Sequence, residues 1–134
     1  IQSVKVFVNG REGQPARTRE SLVEVRIEFS AHGVPVPSVA VAVMTSDGRC
    51  VTSSSTLVAG IPVRLRPDGF GQVAWTIDAL PLLKGEYFFD VYLMCERGLH
   101  VYEFVQSAAV LRVEQCGLEQ GLVHFPHTWE SPAP

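Results

Sequence analysis

Apolar and polar residues alternate with a period of two along most of this chain, and that period dictates extended structure. Successive side chains on a strand point to opposite faces, so one face is buried only if every second residue is apolar. Val4, Val6 and Val8 alternate first, followed by turn signals at Asn9-Gly10 and Gly13-Gln14-Pro15. Val23, Val25, Ile27 and Phe29 then alternate with Glu24, Arg26 and Glu28, the pattern of a strand with one wet face. Gly33, Pro35 and Pro37 break it, and Val39, Val41 and Val43 form the next strand, closed by the hairpin signal Ser46-Asp47-Gly48. A Ser/Thr-rich strand follows from Cys50 to Leu57, then a mixed stretch from Gly60 to Pro67 and a turn at Arg66-Pro67-Asp68-Gly69. Val73, Trp75 and Ile77 face one way while Gln72, Thr76 and Asp78 face the other. Tyr87 to Met94, His100 to Val105 and Val110 to Glu114 complete the series.

No segment carries a helical period, and Leu80-Pro81-Leu82-Leu83 is too short and too Pro-broken to be more than a turn. About seven to nine short strands punctuated by turns predict an all-β fold, an immunoglobulin-like antiparallel β-sandwich. At 134 residues the chain suits one domain spanning residues 1–134. It begins at Ile1 with neither an initiator Met nor a signal peptide, which reads as a fragment of a longer protein. A net charge of −3 argues against a nucleic-acid partner, which demands a basic face. Cys50, Cys95 and Cys116 are odd in number and form no C-x-x-C pair, so they read as buried thiols in a reducing compartment.

In immunoglobulin-type order the third, fourth, sixth and seventh strands share a sheet. If Tyr87, Phe89, Val91 and Leu93 face the core, then Phe88, Asp90, Tyr92 and Met94 face out, alongside Ala40, Ala42 and Met44. The hydroxyls of Thr52, Ser54 and Thr56 alternate with Val51, Ser53 and Ser55 on the fourth strand. The other sheet presents Glu24, Arg26, Glu28, Gln72, Thr76 and Asp78, an ordinary solvated face. A contiguous strip of aromatic and small residues marks an interaction surface. Aromatic rings pack the C–H faces of a sugar, with Asp90 and the hydroxyls bonding its polar groups. The candidate sugar contacts are Phe88, Asp90 and Tyr92, edged by Met44, Thr52 and Ser54. The same strip is equally suited to being covered by the C-terminal tail or by a second subunit, and an acid at position 90 is equally suited to bonding the backbone at a bulge.

Chemistry for catalysis is missing. There is no phosphate-binding glycine loop, no paired-carboxylate spacing and no nucleophile elbow around Ser53-Ser54-Ser55. His124 and His127 are the only closely spaced histidines, and a metal would need further ligands turned towards them. The chain is therefore read as a non-enzyme without metal or cofactor.

The C-terminal stretch, residues 117–134, is unusual for a terminus, which is normally polar and frayed. It carries Leu122, Val123, Phe125 and Trp129, with His127 between them and Pro126 setting a bend. Burying Phe125 or Trp129 contributes roughly 1.5–3 kcal/mol apiece, so the tail is expected to dock on its own domain or on a partner.

These residues in order resemble a known family. The strand Val23 to Phe29, the Ser46-Asp47-Gly48 hairpin and Ser54-Ser55-Thr56 match it, as does Leu80-Pro81-Leu82-Leu83-Lys84-Gly85-Glu86-Tyr87 running into Asp90-Val91. The most specific match is the ending Gly121-Leu122-Val123-His124-Phe125-Pro126-His127-Thr128-Trp129, similar to a G-x-V-x-x-P-H-x-W ending. Together they resemble the C-terminal carbohydrate-binding domain, Wzt-C, of the O-antigen polysaccharide ABC transporter's ATP-binding protein, over nearly the whole chain. The Ser-rich stretch Thr52 to Thr56 departs from the Asn-Thr-like pair expected there. The resemblance implies a non-catalytic module that binds an O-polysaccharide glycan, often at its modified non-reducing end, and so selects it for export. It also implies a homodimer tethered to the ATPase and transmembrane subunits on the cytoplasmic side of the bacterial inner membrane. The nucleotide-binding domain lies outside this sequence. A C-terminal strand exchanged between subunits would bury an apolar tail of this kind.

Overall fold

The computed structural model describes residues 1–32 and 35–133, and the expected break at Gly33 lies outside them. Among the described residues there are nine strands and no helix. They are β1 (Ser3–Val8), β2 (Arg11–Glu12), β3 (Ala16–Arg17), β4 (Val23–Ser30), β5 (Ser38–Thr45), β6 (Cys50–Ser55), β7 (Phe70–Ile77), β8 (Gly85–Met94) and β9 (Val101–Glu114). One sheet has the order β2-β1-β4-β7 and the other β3-β9-β8-β5-β6. The two pack face to face as the expected immunoglobulin-like sandwich, and β5, β6, β8 and β9 share a sheet as the strand order requires.

The alternation explains the core. Val23, Val25, Ile27 and Phe29 of β4 meet Val39, Val41 and Val43 of β5 and Tyr87, Phe89, Val91 and Leu93 of β8, all buried. Their partners on β4 point to solvent, where Arg26 pairs with Glu24 and lies over the Phe7 ring at 4.1 Å. The β5–β6 hairpin turns at Gly48, whose φ of +85° is a left-handed conformation that glycine adopts without strain. Leu80, Leu82 and Leu83 are fully buried, so the segment read as a simple turn is also a plug for the end of the core.

Two expectations need correction. His100 to Val105 and Val110 to Glu114 are not separate strands but one, β9, interrupted by a bulge. Phe89 pairs with Ala109 and Val91 with Val105, so Asp90 alone opposes the three residues Gln106, Ser107 and Ala108. The cysteines are not buried: Cys50 and Cys116 are exposed and Cys95 is half-buried, all three as free thiols. Cys95 follows the end of β8, and its sulfur accepts the His100 and Leu99 N–H groups at 3.3 Å each. Those bonds, the one from His100 foremost, hold the thiol below its ordinary range.

Candidate functional site

The outer face of the five-stranded sheet is organised in cross-strand rows centred on β8. Met44, Phe88 and Val110 form one row, and Ala40, Tyr92 and Phe104 another. Between them Ala42 pairs with Asp90. Each row lies across adjacent strands, close enough for direct side-chain contact. Tyr92 and Phe104 stack with their ring centroids 4.6 Å apart and their planes 23° from parallel. Offset stacking of this kind is a favoured aromatic geometry. Phe104 remains 46% exposed and Val110 53%, so the rows form a surface that water reaches. Glu86 and Arg112 close one end of the face with an exposed ion pair at 3.5 Å.

Asp90 occupies the middle of this face yet is only 6% exposed. Its Oδ1 accepts the Ser107 N–H at 2.8 Å, where Ser107 adopts a φ of +51°. The carboxylate thus satisfies a backbone donor that the bulge has removed from the β8–β9 ladder. Of the two uses open to an acid at this position, the structure contains the backbone bond. By holding the bulge, Asp90 also fixes the stretch of β9 that brings Phe104 onto Tyr92.

The structure brings together Phe88, Asp90, Tyr92 and Met44 of the expected site. It separates Thr52 and Ser54 from them. Val43 pairs with Thr52 and Val41 with Ser54, so these hydroxyls share the inward face of β5. Ser53 and Ser55 lie beside Ala42 and Ala40 on the outer face instead. A register shift between Val43 and Met44 accompanies this arrangement. Phe104 was missing from the expected set; its position opposite Tyr92 follows from a register set by the bulge, which alternation within one strand does not reveal.

The tail docks through its backbone rather than through its rings. The Leu83 N–H donates to the Leu122 carbonyl at 2.9 Å and the His124 N–H to the Pro81 carbonyl at 2.6 Å, with Val123 bridged to Leu82. The Tyr87 hydroxyl donates to the Leu83 carbonyl at 2.8 Å and reaches the Leu122 carbonyl at 3.3 Å. Burial of the phenol raises its pKa. Leu122 and Val123 are partly covered, whereas Phe125 is 75% and Trp129 89% exposed, so of the two expected docking surfaces, their own domain does not cover these aromatics. His127 is exposed too, with its ring centroid 5.4 Å from that of His124. Neither Phe88 nor Tyr92 stacks on the tail's rings; Tyr92 is flanked by Phe104. Among the described residues no three His, Cys, Asp or Glu side chains gather as a metal site.

The tail has a pH-sensitive hold. His124 Nδ1–H donates to the Glu119 carboxylate at 2.9 Å, and this bond chiefly lowers the Glu119 pKa below its ordinary value. A depressed carboxylate stabilises the folded form above its unfolded pKa, and that contribution is lost as pH falls through the folded value. Acidification below about pH 4.5 should therefore loosen the tail before the sandwich opens. Hydrogen exchange should show the His124 and Leu83 amides losing protection first, while β8 amides such as that of Val91 stay protected.

The sequence profile of the Wzt C-terminal domain family matches residues 1–125. The chain belongs to the Wzt C-terminal domain family. The match stops at Phe125, so His127 and Trp129 lie past it. A solved structure, described as the crystal structure of the C-terminal domain of Wzt, superposes with a TM-score of 0.74 at 11% sequence identity. The superposition covers 96% of this chain and 81% of that one, which establishes a shared Wzt C-terminal domain fold. No curated protein matches the sequence.

Proposed function

We propose that this domain is a non-catalytic module that recognises an O-polysaccharide glycan for export by an ABC transporter. Its reading surface would be the outer face of the five-stranded sheet. The observation that carries this reading is the stacked Tyr92–Phe104 pair, held open to solvent at the centre of the sheet beside the small side chain of Ala40. Such a pair offers rigid apolar area to the C–H face of a sugar ring at little entropic cost. Phe88 and Met44 extend the surface along β8 and β5, while Asp90 acts by positioning the bulge. Membership of the family supports the setting, a domain appended to a transporter's ATP-binding subunit at the cytoplasmic side of the bacterial inner membrane. Among the described residues no helix is long and apolar enough to cross a membrane.

The exposure of Phe125 and Trp129 favours a second reading, in which the tail covers a second copy and the domain serves dimerisation. Tyr92→Ala should weaken binding of the matching O-polysaccharide about tenfold in calorimetric titration, with folding unchanged by circular dichroism. Truncation after Gly117 should leave that binding in place if glycan recognition belongs to the sheet. No binding of glycan by the intact protein, together with a truncation that turns a dimer into a monomer, would favour the dimerisation reading.

A further inference from the structure

On the side of the sandwich where both sheets end, β6 and β7 are edge strands of different sheets, and the segment between Thr56 and Arg66 spans the gap. The gap is a cleft of about 370 Å³, within the range of small-molecule sites. Its walls include Ile61, Val73 and the half-buried ring of Trp75, and its lining also includes Ser54, Arg64 and Gln72. Ser54 belongs here because the β5–β6 register turns it inward beside Val41. Arg64 takes part in none of the ion pairs formed among the described residues, whereas its neighbour Arg66 pairs with Asp68 at 3.5 Å.

We propose that this inter-sheet cleft is a separate binding site for a pyranose ring carrying a carboxylate or phosphate. An indole beside aliphatic side chains packs a ring's C–H face, the Ser54 hydroxyl supplies a hydrogen-bond partner, and the Arg64 guanidinium supplies a fork for the anion. Charge selects the ligand: in a chain of net charge −3, an unpaired arginine at a cleft is a local reversal of sign. The inference rests on the glycan reading for the class of ligand, and on residues distinct from those of the outer face.

Trp129 is exposed in the tail, so Trp129→Phe leaves Trp75 as the sole indole reporter. Glucuronate and glucose 1-phosphate, titrated separately, test the carboxylate and phosphate sources against neutral glucose. A saturable change in Trp75 emission with either anionic sugar, at least about tenfold weaker with glucose, is the expected result. Arg64→Gln should weaken it about tenfold, and Ser54→Ala provides a second probe expected to weaken it severalfold. No saturable change with either anion, an equal response to glucose, or a response that survives Arg64→Gln would overturn the cleft. A response lost with Tyr92→Ala but kept with Arg64→Gln would assign the ligand to the outer face and likewise overturn it. Failure of Tyr92→Ala to affect polysaccharide binding would count against the outer face alone.

Discussion

Phe89→Ala is expected to lower the free energy of unfolding by about 3–5 kcal/mol, read as a shift of the urea midpoint at unchanged slope. Phe89 is fully buried at the centre of β8, between Val43 on β5 and Ala109 on β9. Its removal loses both the transfer free energy of the ring and the contacts around the cavity left behind. Domains of this kind have only about 5–15 kcal/mol in hand, so the loss is a large fraction of the whole. Phe88, one residue away, gives the contrast. It lies on the outer face and is half-buried, so Phe88→Ala should cost much less stability. Equal losses at positions 88 and 89 would mean that the two faces of β8 are wrongly assigned.

Asp90→Ala should destabilise the domain by about 1–3 kcal/mol, because it removes the charged acceptor of the Ser107 N–H that holds the bulge. Asp90→Asn keeps an acceptor oxygen and should recover most of that loss in the same urea titration. The pair also separates two roles. If the carboxylate only holds the bulge, the Asn variant binds glycan as the parent does. If its charge touches the ligand, the Asn variant loses binding while retaining stability. In the first case Asp90→Ala weakens binding through Phe104, whose stacking on Tyr92 depends on the bulge just after it in β9.

The sandwich was legible in the sequence because β4, β5 and β8 bury one face and leave the other less covered, which imprints a clear period of two. The centre of the candidate face was legible for the same reason: once Tyr87, Phe89 and Val91 are assigned inward, Phe88, Asp90 and Tyr92 follow outward. Strand β6 gave no such guidance. Its hydroxyls occur on both faces, so no hydrophobic period sets its phase, and Thr52 and Ser54 turned out to face inward. Strand β9 hid its continuity because the three residues opposite Asp90 interrupt the alternation. Phe104 therefore had no readable partner until the register across the bulge was known. The tail's docking depends on the carbonyls of Pro81 and Leu122 and the N–H groups of His124 and Leu83, which no side-chain pattern announces. Its aromatics, by contrast, were conspicuous in the sequence and are exposed in the folded chain.

The most direct measurement of whether the outer face reads glycan is a chemical-shift map of the labelled domain titrated with its O-polysaccharide. The expected shifts centre on Tyr92 and Phe104, extend to Phe88, Met44 and Ala40, and leave Glu28 and Thr76 on the opposite sheet unmoved. Shifts confined to residues 118–129, or none at saturating glycan, would contradict it.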